Sequence, residues 1–159
     1  MSDSHDSELL GEFDASGLRI GVAAATFNAE ITDGLLEGAL SVLDDADVTV
    51  VRVAGSFELP LVASALIDKG CDAVVAIGAV VLGETDHYEH IARETARGLQ
   101  DVMLATGVPV AFGVLTVRNV EQARERSLPG PGNKGTEAAE AAVRTARLLN
   151  DLRVPGNDS

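Results

Sequence analysis

An unbroken apolar run at residues 73–81, AVVAIGAVV, constrains the fold more than any other feature of this sequence. The run is too short to cross a membrane as a helix, and it lacks the polar alternation of a strand with one solvated face. Strands buried on both faces are typical of parallel sheets that are covered by helices on each side. The run therefore predicts the central strand of an α/β domain.

Apolar runs and helical stripes alternate along the rest of the chain. The expected strands are residues 18–25, 48–53, 73–81 and 110–115. Pro60 fits only the first turn of the helix after the second strand, and Asn119 with Gln122 predicts the capped start of another helix. Residues 134–152 are expected to form an alanine-rich final helix. This alternation predicts a three-layer α/β/α sandwich with a four-stranded parallel sheet.

The length of 159 residues predicts one domain, with a core that needs no disulfide or metal. Residues 1–16 are polar and without a clear period, so we expect a flexible N-terminal segment. Residues 17–153 are expected to form the single α/β domain, and residues 154–159 a disordered tail. Cys71 is the one cysteine of the sequence, which excludes an intramolecular disulfide and favours a buried structural thiol.

The charge balance excludes some classes of function. The chain carries 25 acidic and 12 basic residues, a formal charge of −13, which disfavours nucleic-acid binding. Lys69 and Lys134 are lysines and the other basic residues are arginines. A lysine-poor acidic surface suits a salt-rich cytosol, so a halophilic source is our hypothesis. The first residues are acidic and polar, unlike a secretory signal, and no apolar run reaches spanning length, so we expect a cytoplasmic protein that makes no membrane contact.

The segment after the central strand carries two histidines. Gly83 ends the apolar run, and Asp86 with Glu89 has the form of a capping box, so a helix is expected to start there. His87 and His90 lie in its first turn. The helix dipole disfavours the imidazolium form, so His87 is expected to be largely neutral near pH 7 and able to accept a proton. The alternative, that His87 is an ordinary polar residue at a helix start, is equally compatible with this segment.

Three strand ends are expected at one edge of the sheet, where open α/β sheets bind their ligands. The first offers Phe27 and Asn28, and the second offers Ser56, Phe57 and Glu58. Phe27 presents a flat face to a planar ring, or forms a hydrophobic staple for its helix. Glu58 accepts hydrogen bonds from a ligand, or is a first-turn carboxylate that the helix dipole favours. The third strand end brings His87.

Anion binding is predicted at two places. Residues 83–85 place backbone N–H groups at a helix start, where an anion can bind. Arg126 and Lys134 flank a Pro/Gly-rich hinge at residues 127–133, and they either clamp a phosphate or are ordinary solvated charges. The sequence contains no metal-ligand spacing, no dinucleotide fingerprint and no P-loop, so no metal or cofactor is expected.

Six ordered motifs resemble those of lumazine synthases, enzymes of riboflavin biosynthesis. The motifs are TFN at 26–28 with Ile31 and Thr32, GSFELP at 55–60, GETDHYE at 83–89, FGVLT at 112–116, EQA at 121–123 with Arg126, and NKG at 133–135. The resemblance covers roughly residues 18–150 and implies a flavodoxin-like fold. It implies a cofactor-independent transferase that condenses 5-amino-6-ribitylaminouracil with 3,4-dihydroxy-2-butanone 4-phosphate. The products are 6,7-dimethyl-8-ribityllumazine, phosphate and water.

The resemblance also implies roles for individual residues. His87 would be the catalytic, proton-transferring group. The residues implied to bind the pyrimidine and ribityl chain are Phe27, Asn28, Ser56, Phe57, Glu58, Val80, Val81, Phe112 and Lys134. The residues implied to bind phosphate are Glu84, Thr85 and Arg126. Because family sites lie between adjacent subunits, Phe112 and Lys134 would reach into a neighbouring subunit's site.

The resemblance further implies a homopentamer, which some family members close into an icosahedral capsid of sixty subunits. The hinge at 127–133 has no obvious insertion, so both assemblies stay open. Two positions depart from the family pattern: Ala54 stands where a proline is usual, and Leu82 where a basic residue is common. The alternatives are an archaeal-type riboflavin synthase on the same scaffold, or a non-catalytic shell protein that binds flavin or lumazine.

Overall fold

The computed structural model describes residues 8–83 and 86–154. Its strands are β1 Arg19–Ala25, β2 Asp47–Val53, β3 Ala73–Val81 and β4 Val110–Val117. Its helices are α1 Ala29–Leu40, α2 Leu59–Asp68, α3 His87–Thr106, α4 Val120–Ser127 and α5 Lys134–Arg153, with a 3₁₀ turn at Ser56–Glu58. No helix in these ranges is both long and apolar enough to span a membrane.

The strands form one parallel sheet in the order β2-β1-β3-β4. The apolar run at 73–81 is β3, with the bounds that the sequence predicts, and it lies beside β1 in the middle of the sheet. The chain winds from β1 outward to β2 and then back across to β3 and β4. The strand order therefore reverses between β1 and β3, and this switch point is where such sheets place their ligands.

The sheet separates two hydrophobic cores. Val75 and Ile77 of β3 pack with α1 and α5 on one face, while Val74 and Ala76 pack with α2 and α3 on the other. All four side chains are fully buried. Full burial of one such Val or Ile side chain stabilises the fold by about 1.5–3 kcal/mol. The layers are therefore helices, sheet and helices, which confirms the predicted α/β/α sandwich.

Helix starts match the sequence in one case and differ in another. The Asn119 Oδ1 accepts the Gln122 N–H at 3.0 Å, and the Gln122 Oε1 accepts the Arg118 N–H at 2.9 Å, so the predicted cap of α4 is confirmed. Helix α3 begins at His87 as expected, but the predicted capping box of Asp86 is wrong. Asp86 has helical backbone angles, φ −75° and ψ −9°, whereas a capping side chain needs an extended backbone to reach the free N–H groups.

Residues 11–16 lie along α5. The Arg144 Nη1 donates to the Gly11 carbonyl at 3.1 Å, and its guanidinium lies 5.6 Å from the centre of the Phe13 ring. The Arg147 Nε donates to the Asp14 carbonyl at 2.7 Å. These contacts begin before the expected domain boundary at residue 17. The expected flexibility of residues 1–7 and disorder of residues 155–159 lie outside the described residues.

Cys71 lies between α2 and β3 with 8% of its surface exposed. It packs in the core beneath α2 and α3, so the predicted burial is confirmed. Burial raises the pKa of the Cys71 thiol, because the thiolate would lose its hydration. A thiol that stays protonated is a weak nucleophile, which fits a structural residue.

Candidate active site

A cleft of about 490 Å³ opens at the carboxyl edge of the sheet, and we call it the strand-end cleft. The turns after β1 and β2, the end of β3 and the first turns of α3 form its walls. Predicted site residues that line it are Phe27, Asn28, Ser56, Phe57, Glu58, Val80, Val81 and His87. Residues far apart in sequence therefore meet where the parallel strands end, as the strand pattern predicts.

The turn after β1 is fixed by hydrogen bonds to two neighbouring segments, β3 and the turn after β2. Asn28 adopts a left-handed backbone with φ 61°, a conformation that asparagine tolerates better than most residues. Its Nδ2 donates to the Ala79 carbonyl at 2.9 Å, and the Phe27 N–H donates to the Ala54 carbonyl at 3.1 Å. The Phe27 ring remains 55% exposed at the cleft. The turn therefore fixes the Phe27 backbone and leaves the ring accessible, while the Asn28 amide N–H already has a partner within the chain.

The turn after β2 is closed by its own carboxylate. The Glu58 Oε1 accepts the Gly55 N–H at 2.9 Å, which braces the 3₁₀ turn. Ser56 is buried within this turn and lies directly over Gly78 of β3. A Cβ on Gly78 would overlap the Ser56 Oγ, so the missing side chain makes room for the serine. Phe57 is 60% exposed and offers a second aromatic surface to the cleft.

The start of α3 supplies the imidazole. His87 is the first residue of the helix and lines the cleft, and its ring meets the edge of Tyr88 with centroids 5.3 Å apart. His90 is not among the lining residues. Of the two histidines near the start of α3, His87 is therefore the one placed to exchange a proton with a ligand in the cleft.

A second cleft, also about 490 Å³, lies against edge strand β4, and we call it the edge cleft. Phe112, Arg126 and Lys134 line it, and Phe112 is 49% exposed. The Lys134 Nζ lies 3.0 Å from the Glu137 Oε1. No described residue lines both clefts, so a single chain does not bring Arg126 or Lys134 into the cleft that contains His87. Glu84 and Thr85 lie outside the described residues.

Some cleft residues were not singled out from the sequence. Tyr88 and Ile91 line the strand-end cleft, and Gly78 shapes it from below. Ile91 follows His87 by four residues, and this spacing puts two side chains on one helix face. A glycine within an otherwise apolar strand signals a close approach of another group, here Ser56. Both signals were therefore present in the sequence.

Ala54 and Leu82 are the two residues that depart from the family pattern, and the structure shows the contacts of each. Ala54 lines the strand-end cleft, and its carbonyl accepts the Phe27 N–H, so the turn closes without a proline. Leu82 is partly buried against the core beneath α2 and α3. An apolar contact therefore replaces any charged group at residue 82.

Sequence comparison with known proteins identifies the family of this chain. Residues 17–150 match the family model of 6,7-dimethyl-8-ribityllumazine synthase. The enzyme of that name from Clavibacter michiganensis subsp. michiganensis is 50% identical over 144 residues, 88% of this chain and 90% of the relative. The one from Nitratidesulfovibrio vulgaris strain DP4 is 42% identical over 154 residues, 93% of this chain and 99% of the relative. The chain therefore belongs to the 6,7-dimethyl-8-ribityllumazine synthase family.

Proposed function

We propose that the active site forms where the strand-end cleft of one copy meets the edge cleft of an adjacent copy. The chain is a transferase of riboflavin biosynthesis that condenses 5-amino-6-ribitylaminouracil with 3,4-dihydroxy-2-butanone 4-phosphate. The product is 6,7-dimethyl-8-ribityllumazine. The observation that carries the site assignment is the convergence of eight predicted site residues from three strand ends in one cleft.

The strand-end cleft suits the pyrimidine. Phe27 and Phe57 expose aromatic faces at its mouth, on which a flat heterocycle can stack. Backbone groups near Val80 and Val81 lie at its floor and can bond the edge of the ring. A volume of about 490 Å³ falls in the range of small-molecule sites. Ser56 and Glu58 add polar groups for the ribityl chain.

The edge cleft suits the phosphate. Arg126 and Lys134 share it in a chain whose formal charge is −13, so two cations are gathered where the overall surface is acidic. An arginine fork binds phosphate oxygens in pairs, and a lysine adds a point charge, so Lys134 can serve the phosphate as well as the ribityl chain to which the family resemblance assigns it. The Lys134 Nζ lies 3.0 Å from the Glu137 Oε1, and Glu137 lines the same cleft. Glu84 and Thr85 stay predicted phosphate ligands on the basis of the family resemblance.

The two clefts complete one another only if two copies meet. Within one chain the imidazole and the two cations line different clefts. Strand β4 lies at the edge of the sheet, where a neighbouring copy can approach Phe112. The arrangement supports a ring of copies in which each contributes both clefts, one to each neighbour. We infer the homopentamer of the family on this basis.

The chemistry needs positioned reactants and proton transfer. The 5-amine adds to the ketone and water leaves, which forms an imine. Loss of a carbon-bound proton then expels phosphate, and the ring closes with loss of a second water. His87 lines the strand-end cleft, and its imidazole can accept and donate these protons. Holding the two reactants side by side supplies much of the acceleration, so no nucleophilic residue is required.

A turnover assay tests this function. Purified protein is mixed with both substrates, and phosphate release is measured together with formation of the lumazine. We expect the two products in equal amounts. Dismutation of added lumazine to riboflavin without phosphate release would instead support the riboflavin-synthase alternative, which the family match does not favour. Tight lumazine binding without any turnover would support the non-catalytic shell protein.

Assembly and environment are further parts of the proposal. We infer a cytoplasmic enzyme from its metabolic role, and a halophilic source from the acidic, lysine-poor composition. Light scattering at low and multimolar salt distinguishes a pentamer from a closed sixty-subunit shell. A melting temperature that fails to rise over the same salt range would contradict the halophilic origin, because screening would then relieve no repulsion.

A further inference from the structure

Asn133 lies at the junction of α1, the hinge at 127–133 and α5, with 1% of its surface exposed. Its Oδ1 accepts the N–H groups of Gly135 and Thr136 at 2.8 and 3.1 Å. Its Nδ2 donates to the carbonyls of Leu128 and Gly34 at 2.9 and 3.2 Å. One buried side chain therefore caps a helix with its oxygen and ties the hinge to α1 with its nitrogen.

The junction leaves little room for any other arrangement. A Cβ on Gly38 would overlap the Asn133 amide, and one on Gly34 would overlap the Ser127 carbonyl. Both glycines lie on α1. The backbone of α1 therefore approaches the hinge closely enough that the Asn133 side chain is confined.

The hinge between these contacts has few constraints of its own. Residues 128–132 are exposed. Gly130 and Gly132 adopt positive φ angles of 97° and 92°, which other residues rarely adopt. The Asn133 N–H donates to the Gly130 carbonyl at 3.2 Å, and its Nδ2 reaches Leu128. Asn133 thus closes the hinge at its far end.

We propose that Asn133 is a positioning residue that sets the separation of Arg126 and Lys134 in the edge cleft. Arg126 lies in the last turn of α4, two residues before Leu128, and Lys134 directly follows Asn133. The Asn133 amide joins the two ends of the hinge that separates these cations. The inference rests on the proposed function, since it concerns how the edge cleft binds the phosphate of the substrate.

Asn133→Asp separates the two tasks of this side chain. The carboxylate keeps the oxygen that caps α5, and aspartate is as good an N-cap as asparagine. It removes the N–H donors to Leu128 and Gly34 and leaves their carbonyls facing a carboxylate. Helix α5 therefore retains its cap, while the hinge loses its side-chain bond and keeps the backbone bond from residue 133 to Gly130.

Thr136→Val is the matched control. The Thr136 Oγ1 donates to the Gly38 carbonyl at 2.9 Å, in the same junction between α1 and α5. No hydrogen bond joins the Thr136 side chain to residues 127–133 in the described part of the chain. This variant therefore weakens the junction without opening the hinge. If lost stability alone weakened phosphate binding, both variants would bind phosphate more weakly to the same degree.

The experiment measures inorganic phosphate as an inhibitor competing with the phosphate-bearing substrate, together with kcat, KM and thermal unfolding. For Asn133→Asp we expect the inhibition constant and the KM of that substrate to rise about tenfold, because small misplacements of binding groups are costly. We expect kcat to fall by less than about threefold, since His87 lies in the other cleft. Thr136→Val should leave the inhibition constant within about twofold of the wild type.

Three outcomes overturn the inference: an unchanged inhibition constant in Asn133→Asp, an equal rise in Thr136→Val, or a fall confined to kcat. Asn133→Ser is measured beside Asn133→Asp, because serine caps a helix and introduces no buried charge, so a rise of the inhibition constant in both variants cannot come from repulsion between a new carboxylate and phosphate. Calorimetric titration with inorganic phosphate keeps the test separate from the activity. A wild type that binds phosphate without turnover would contradict the proposed function, while the Asn133 comparison would still stand or fail by its own result.

Discussion

The two clefts have the same volume, about 490 Å³, but the chain builds them in different ways. The strand-end cleft arises from three turns at the carboxyl edge, where a parallel sheet gathers loops from distant parts of the sequence. The edge cleft lies against an outer strand, between β4, the end of α4 and the start of α5. The first holds aromatic rings and an imidazole, and the second holds an arginine and a lysine.

Two clefts of different chemistry allow one small domain to serve two substrates. A parallel sheet offers one natural site at its carboxyl edge, and the turns there already use several polar groups to brace themselves, among them Asn28 and Glu58. Charge for a phosphate must come from elsewhere. Arg126 of α4 and Lys134 of α5 supply it beside edge strand β4, whose outer side can meet another copy.

Arg126→Ala should have the largest effect. In the proposed site, removing the guanidinium would delete paired hydrogen bonds to phosphate, so we expect kcat/KM for the phosphate-bearing substrate to fall by about 10²–10³-fold. Steady-state kinetics with each substrate varied in turn measures this loss. Arg124→Ala is the control on the same helix: Arg124 pairs with Glu121 and Glu30 and lines neither cleft. Equal losses in the two variants would refute the phosphate role of the edge cleft.

His87→Ala should slow turnover without abolishing it. General acid–base groups typically contribute about 10²-fold or more, and proximity of the reactants persists without the imidazole. We expect kcat to fall by about 10²-fold while the affinity for a lumazine ligand changes little. Single-turnover absorbance and ligand titration measure the two quantities. Complete loss of activity with intact binding would show that catalysis depends on His87 rather than on the positioning of the two reactants.

The fold was largely predictable from local pattern. The run at 73–81 identified β3 because both of its faces are buried, and Asn119 with Gln122 marked the start of α4. Strand β4 extends to Val117, beyond the predicted end at residue 115, because it pairs with β3 up to Val81 and hydrogen bonding outlasts the apolar pattern. The cap of α3 failed because local spacing does not fix the backbone angles of Asp86.

The sequence predicted which residues belong to the site, but not which of them line the same cleft. Turns that follow parallel strands are brought together by the topology, so Phe27, Ser56 and His87 met as expected. The placement of Arg126 and Lys134 depends on β4 being an edge strand and on which face α5 covers. The period of the apolar residues reveals neither the edge position of β4 nor the face that α5 covers, because it shows which side of one element is buried and not the order of the strands. Only the assembled sheet separates the two clefts.

Mixing the two variants tests whether the clefts meet across copies. In a ring of His87→Ala and Arg126→Ala chains at equal amounts, about a quarter of the interfaces join an intact strand-end cleft to an intact edge cleft. Co-refolded mixtures should therefore regain roughly a quarter of wild-type activity. Separately refolded variants, mixed afterwards, are the control. If the co-refolded mixture has only the average activity of the two variants, both clefts act within one chain.

Gly78→Ala should have a moderate effect that is confined to the strand-end cleft. The new methyl group displaces Ser56, so we expect the KM of the pyrimidine substrate to rise by a few-fold and stability to fall by about 1–3 kcal/mol. Gly21→Ala is the control, because its Cβ would crowd Leu66 and Cys71 in the same core, away from either cleft. If both variants raise that KM equally, Ser56 contributes no specific contact. Denaturant unfolding shows whether Gly78→Ala and Gly21→Ala lose similar amounts of stability.

Salt should have the smallest effect and should separate the clefts without any mutation. Added salt screens the attraction between phosphate and the exposed cations of the edge cleft, whereas stacking on Phe27 involves no net charge. Between low and moderate ionic strength we expect the KM of the phosphate-bearing substrate to rise about twofold and that of the pyrimidine substrate to change less. In Arg126→Ala the salt dependence should shrink. A parallel rise of both constants would mean that salt acts on the assembly rather than on the edge cleft, and light scattering over the same range would reveal it.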